Sequence, residues 1–334
     1  MGVEVFLCMK YPKFLNEKYN TIGVCAMSSG VGHKLDSFDA SIEYIESNGF
    51  HIVETASVRN NSEPSIDAKT RVDELNSLVN DSSVGAVWLA AGGDFQFETL
   101  PYIDFDWIEK NPKWYLGASD PTNLLFPITC KCDLATAYGF NAGSFDEYGI
   151  NEYSSLCLDF LKGKNSELHS SSMHQDVDFY NDGAPILNTK TEYVGSCNVE
   201  GRLFGGCFES INDMAGTPYD FVKEFNERYK EDGIIWFFDI FSMNSCDVYR
   251  ALLKMKYMGY FKYTKAILVG RVLFKNVSDL IGYEDAFKKA LPDIDVVFKV
   301  DIGHTYPHMY VVNGAMARVE VKDGQGTIDY EMKE

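Results

Sequence analysis

Apolar and polar positions along the first 120 residues switch between two periods. TIGVCAM (21–27) is a continuous apolar run of the kind a buried strand carries. It gives way at Ser28, Ser29 and Gly30 to a stretch over 36–48 with Phe38, Ile42 and Ile45 at helical spacing. HIVETA (51–56) is a second strand-like run, and 65–80 places Val72, Leu75, Leu78 and Val79 on one helical face. GAVWLAAGG (85–93) and KWYLGA (113–118) predict a third and a fourth strand. This order predicts a doubly wound parallel sheet with helices on both faces. Sites in such sheets lie at the carboxyl ends of the strands, so the loops after VCAM, WLAA and YLGA should converge.

The pattern changes over 162–192, a polar, serine-rich stretch without a clear period, which predicts a linker or long functional loop. Beyond it, YVGSCNVEGRLFGG is β-like, IIWFFDIF and KAILVGR read as strands, and helices are predicted near 246–259 and 283–290. DVVFKVDIG follows, and the end of the chain alternates around Asn313-Gly314 and Asp323-Gly324, both hairpin signals. The pattern predicts an α/β protein of two domains. Residues 1–165 are expected to form the doubly wound unit, 166–190 the linker, and 191–334 a β-rich α/β unit.

Composition narrows the function classes. A chain of 334 residues is long enough for two domains, and 46% hydrophobic with 14% aromatic residues suits a packed globular protein. The net charge of −19 opposes nucleic-acid binding, and no basic cluster offsets it. No apolar run has the length needed to span a bilayer, and the N-terminus does not read as a signal peptide, so a cytoplasmic protein is expected. Eight cysteines are scattered; Cys130 and Cys132 are one residue apart with no second pair at zinc-ligand spacing. Reduced thiols packed as small apolar groups are the expectation.

The stretch WYLGASDPTNLL (114–125) runs from a strand through Ser119-Asp120-Pro121 into a helix. Ser119 and Asp120 could simply cap that helix. Alternatively, Ser119 is a nucleophile at the tip of a sharp turn, where N–H groups and the positive helix end favour an oxyanion. The G-x-S-x-G spacing of α/β-hydrolases is absent. Gly92-Gly93, ending the third strand, is either a plain turn or a side-chain-free backbone that aims an N–H at a substrate oxygen. A nucleophilic serine needs a base, and there are six histidines: His33, His51, His169, His174, His304 and His308. His304, in VDIGHTYPH, follows a strand and a glycine; His308 competes with it. An acid should orient the base. Asp239, ending IIWFF, and Asp301 are the candidates, and spacing does not choose among these four. Arg202 and Glu200 would either meet substrate charges or be solvated surface charge.

Taken together, IGVCAMSSGV, AAGGDFQFETLPYIDFDWIEKNPKWYLGASDPTNLL, LATAYGFNAG, EGRLFGGC, IIWFFD with VYRALLKMKYMGYF, LVGR and DIGHTYPHM resemble the LD-carboxypeptidases. That serine peptidase family includes the microcin-immunity peptidases, and the matching stretches span about nine-tenths of the chain in order. The resemblance implies a serine–acid–histidine triad between an N-terminal Rossmann-like and a C-terminal β-rich domain. The family's nucleophile falls on Ser119 and its histidine on His304. The oxyanion donors would be the backbone N–H groups of Gly93 and Asp120, with Gly92 beside the substrate. It implies no metal or organic cofactor, a peptide or peptide-like substrate, and a homodimer. The expected activity is a serine carboxypeptidase cutting an amide next to a terminal carboxylate, foremost the L,D bond of murein-derived peptides.

Two departures stand out. The family's triad glutamate falls on Asp239, one methylene shorter, which leaves open full activity, weak activity or binding alone. Met27 stands where the family often has proline, and Ala118 where it often has an aromatic, which would widen the pocket beside Ser119. The alternative substrate class is an aminoacyl-nucleotide conjugate, as in the microcin-immunity branch. That branch stacks the base on an aromatic in the long loop, where this chain offers Phe179 and Tyr180 but no tryptophan.

Overall fold

A computed structural model describes residues 9–146, 149, 151–164, 167–175 and 186–332. The first part of the chain runs β1 (Thr21–Cys25), α1 (Leu35–Ser47), β2 (His51–Glu54), α2 (Ala68–Asn80), β3 (Val84–Leu89), α3 (Phe105–Lys110), β4 (Trp114–Gly117), α4 (Thr122–Cys132), β5 (Thr136–Tyr138) and α5 (Tyr153–Leu161). The rest comprises β6 (Leu168–His169), β7 (Met173–Gln175), β8 (Leu187–Lys190), β9 (Cys197–Cys207), α6 (Phe208–Met214), α7 (Val222–Arg228), β10 (Ile234–Asp239), α8 (Ser245–Met258), β11 (Thr264–Gly270), α9 (Tyr283–Ala290), β12 (Val296–Val300), β13 (Val311–Asn313), β14 (Met316–Lys322) and β15 (Gln325–Glu331).

The predicted elements of the first half form where the periodicity places them. β3 is buried at every position, as a central parallel strand must be. α2 turns Val72, Leu75, Leu78 and Val79 inward and is capped by Asp67, whose carboxylate accepts the Thr70 N–H at 3.0 Å. The sheet order is β13-β5-β4-β3-β1-β2, parallel except at β13. The second sheet has the order β12-β11-β10-β9-β14-β15-β6. Its β9-β10-β11-β12 half is parallel, and β14, β15 and β6 continue it antiparallel.

Of the two hairpin signals near the C-terminus, one makes a hairpin. Asp323 and Gly324, both at positive φ, turn β14 into β15. Asn313-Gly314 does something else. There the chain leaves β13, paired antiparallel with β5 in the first sheet, and enters β14 in the second. The chain therefore returns to the first sheet after building most of the second. Asn313 also accepts the Gly205 N–H of β9 at 2.9 Å.

The two sheets are joined by buried apolar and polar contacts. Phe126 of α4 stacks on Phe204 of β9 at 4.3 Å between centroids. Thr122 Oγ1, at the start of α4, accepts the Cys207 N–H at 2.9 Å. These contacts bring carboxyl ends of both parallel sheets to one cleft: the exits of β1, β3, β4 and β5 on one side, and of β10 and β12 on the other. The seven cysteines among the described residues are unbridged, six of them buried.

Candidate active site

Ser119 sits between β4 and α4 with φ of 69°, a conformation that costs a non-glycine residue about 1–2 kcal/mol. The capping reading does not hold: α4 has no side-chain cap. Asp120 also turns away from the helix backbone, accepting from the Ser28 hydroxyl (2.5 Å), the Gln96 N–H (2.8 Å) and the Asn123 amide (2.6 Å). Burial raises the Asp120 pKa despite these three donors. The strained turn is held from β5 and the loop after it. Asn141 accepts the Ala118 N–H at 3.0 Å and donates back to the Ala118 carbonyl at 3.3 Å. The Tyr138 hydroxyl accepts the Ser119 N–H at 3.0 Å. Neither Tyr138 nor Asn141 stands out in the sequence; the signal was their place in LATAYGFNAG, just past a short strand whose neighbours only the folded sheet reveals.

Across the cleft, Asp239 ends β10 and is fully buried. Its Oδ2 lies 2.9 Å, and its Oδ1 3.0 Å, from Nδ1 of His304. The aspartate therefore reaches the imidazole in spite of its shorter stem. Gly303 permits this, because a Cβ there would collide with Asp239 Oδ1, and its φ of +102° favours glycine. Glu209 fixes the chain beyond Asp239 by accepting the N–H groups of Phe241 (3.1 Å), Ser242 (2.9 Å) and Met243 (2.9 Å). Phe241 lies against the His304 ring at 4.6 Å.

The electrostatics of the pair follow from burial and contact. Burial alone disfavours the charged form of each; the mutual charge and hydrogen bond outweigh it. Asp239 is held below, and His304 above, its ordinary value. The Tyr138 hydroxyl, which donates to Asp239 Oδ2, adds to the lowering of Asp239.

Ser119, Asp239 and His304 line one cavity of about 410 Å³ together with Gly92, Gly93, Ala118 and Phe241. A Cβ on Gly92 would sit 3.1 Å from Ser119 Cβ, so the Gly92-Gly93 backbone passes directly beside the serine. Among the described residues, the Gly93 and Asp120 N–H groups donate to no protein acceptor. Ala118 forms part of the wall, where an aromatic would fill space.

Other candidates fall elsewhere. Asp301 is tied to Arg271 Nη1 (2.5 Å), Tyr193 (2.8 Å), Tyr153 (3.1 Å) and the Ser171 N–H (2.7 Å), not to His304. His308 lines the same cavity, but Asp239 bonds His304 instead, and burial pushes His308 down to about 4. The expectation that Arg202 and Glu200 meet substrate is corrected. Arg202 sits at the middle of β9, level with Ile234 at the start of β10, and Glu200 precedes it, so both are away from the Cys207–Asp239 end that faces the cleft. Arg202 pairs with Asp232 at 2.6 Å and covers the Tyr229 ring, and Glu200 is exposed opposite Arg318. Phe179 and Tyr180 lie outside the described residues. Among the described residues, no group of three or more His, Cys, Asp or Glu could hold a metal ion, and no helix is long and apolar enough to cross a membrane.

Residues 22–139 match the LD-carboxypeptidase N-terminal domain, and 200–319 match the LD-carboxypeptidase C-terminal domain. This chain belongs to the LD-carboxypeptidase family. A putative carboxypeptidase of Treponema pallidum is 31% identical over 75% of this LD-carboxypeptidase family member and 74% of its own length. The microcin C7 self-immunity protein MccF of Escherichia coli is 24% identical over 85% of each chain. A structure of MccF with glutamyl sulfamoyl guanosine superposes with a TM-score of 0.78 at 23% identity, covering 96% of this chain and 98% of that one. Muramoyltetrapeptide carboxypeptidase from Oxalobacter formigenes superposes with a TM-score of 0.74 at 20% identity, covering 94% and 99%. The shared architecture is the mixed α/β fold of two domains.

Proposed function

We propose that the protein is a serine carboxypeptidase hydrolysing an amide bond next to a terminal carboxylate, with the L,D bond of murein-derived peptides as substrate. The observation that carries this reading is the cavity where Ser119 from one sheet meets the Asp239–His304 pair from the other. In the proposed mechanism Ser119 Oγ attacks the scissile carbonyl carbon. His304 Nε2 takes the hydroxyl proton, and Asp239 holds Nδ1–H and stabilises the imidazolium. The N–H groups of Gly93 and Asp120 receive the oxyanion. Collapse of the tetrahedral intermediate breaks the C–N bond, and His304 gives its proton to the leaving amine of the terminal D-amino acid. Water, deprotonated by His304, then releases the acyl group and restores Ser119.

The raised imidazole pKa suits a base that must also act as an acid near neutrality. The reach of Asp239 to His304 supports catalysis over binding alone. The structural likeness to MccF keeps an aminoacyl-sulfamoyl nucleotide as the second substrate class. The test is to incubate purified wild type and Ser119→Ala with a murein tetrapeptide and with glutamyl sulfamoyl adenosine. D-alanine release by wild type alone supports the proposal. Cleavage of the nucleotide conjugate alone transfers the site to the second class. Equal background in both proteins on both compounds overturns the hydrolase reading.

A further inference from the structure

The Tyr138 side chain touches both halves of the proposed triad. It ends β5 in the first sheet and is fully buried. Its hydroxyl donates to Asp239 Oδ2 at 2.5 Å across the domain junction. The same oxygen accepts the N–H of Ser119 at 3.0 Å. Its ring lies 5.6 Å from Phe237, two residues before Asp239 on β10. The hydroxyl remains protonated, because burial and the neighbouring carboxylate both push its pKa up.

We propose that Tyr138 is a positioning residue that locks the nucleophile's elbow to the acid, so that serine, acid and imidazole keep one register across two domains. Three consequences follow from the contacts. First, the Ser119 N–H is committed to Tyr138 and is not available to the oxyanion, in keeping with the proposed donors Gly93 and Asp120. Second, the positive φ of Ser119 is held by a partner rather than by glycine. Third, the carboxylate has its two oxygens aimed by two donors, Tyr138 and His304, which fixes its plane and thereby that of the imidazole. The proposal rests on the serine-hydrolase reading above.

The test reads Ser119 and His304 separately. Labelling of Ser119 by a fluorophosphonate reports nucleophilicity without any natural substrate, and NMR titration of the His304 ring reports its midpoint. The titratable groups acting on His304 are Asp239, Glu209 and His308; none is itself replaced in Tyr138→Phe. Removing the phenolic donor concentrates carboxylate charge on His304, so its midpoint should rise by at least half a pH unit. Loosening of the elbow should slow labelling at least tenfold, with labelling of the wild type as the reference. A purely structural role would lower the melting temperature and leave the His304 midpoint where it was. An unchanged midpoint or an unchanged labelling rate in the folded variant overturns the proposal. Failure of the wild type to label overturns the hydrolase reading, and this proposal with it. Should Tyr138→Phe not fold, 3-fluorotyrosine placed at 138 keeps the ring and strengthens the donor. The His304 midpoint should then fall, and no movement overturns the assignment.

Discussion

Gly303 and Asp239 share space that no side chain at 303 could enter. A Cβ would overlap Asp239 Oδ1, and the backbone there has a φ of +102°. Gly303→Ala should therefore displace the acid from His304. The variant is expected to lose about two orders of magnitude or more in kcat, since a misplacement near 1 Å costs that much. Its melting temperature should also drop, because the backbone is strained. Steady-state kinetics beside a thermal melt checks both.

The Asp239–His304 pair sets a pH dependence whose sign is fixed. The proposed mechanism needs neutral His304 as base, and its pKa is raised, so the acid limb of kcat/KM should lie above the ordinary imidazole value of about 6.5. Asp239→Asn removes the charge that raises it. The remaining activity should fall by about 10³–10⁴-fold, and the acid limb should move to lower pH. A pH–rate profile in which the limb of the variant moves upward would contradict the assignment.

Asp301, the rival acid, should behave oppositely. Its carboxylate is buried against Arg271, Tyr153, Tyr193 and Ser171. Asp301→Ala leaves the Arg271 guanidinium buried and unpaired, which should cost about 3–5 kcal/mol of stability. Fluorophosphonate labelling per folded molecule should stay within a few-fold of wild type, in contrast to Asp239→Asn. Urea unfolding and active-site titration separate the two effects.

These contrasts mark what the sequence could and could not convey. Apolar periodicity located the strands and helices that carry Ser119, Asp239 and His304, because burial on both faces of a parallel sheet leaves uninterrupted apolar runs. It did not choose between Asp239 and Asp301, since both end apolar strands and only the partners differ. The family resemblance pointed to Ser119, Asp239 and His304, and the geometry brings the three to one cavity. Arg202 misled because it sits in the glycine-rich β9 stretch that ends at the cleft, but at mid-strand, level with the start of β10 and five residues short of the cleft end. Tyr138 was invisible because its two partners are 19 and 101 residues away in sequence. Asn313-Gly314 has hairpin composition, yet the strands on either side join different sheets.

Lys34 provides a prediction about substrate. Among the described residues lining the cavity it is the lone lysine or arginine, and the acidic Glu63 and Asp94 line the same cavity. A substrate with a free terminal carboxylate needs a cation there. Lys34→Met should raise KM for the tetrapeptide several-fold, about 1 kcal/mol for a solvent-exposed charge contact, with kcat nearly unchanged. Fluorophosphonate labelling, which involves no carboxylate, should not change. An unaltered KM would place the carboxylate elsewhere.

His308 predicts how the fold responds to acid. It is buried against Phe140 at 4.7 Å and Tyr306 at 5.3 Å, and burial followed by the His304 charge pushes it down to about 4. The unfolded chain takes up this proton near the ordinary value of about 6.5. Because the folded form binds it only near 4, the unfolded state holds more protons in between, and stability must fall as pH drops through that window. Between pH 7 and pH 5 the loss from this one group is about 2 kcal/mol. His304 acts in the other direction: its raised pKa gives stability that is present below about 6.5 and lost as pH rises through the folded value. His308→Phe retains the ring packing and removes the proton site. Urea unfolding at pH 7 and pH 5 should therefore show a smaller acid loss in the variant than in wild type, by about 2 kcal/mol. Equal losses in both proteins would mean that His308 titrates normally and is not held neutral by its surroundings.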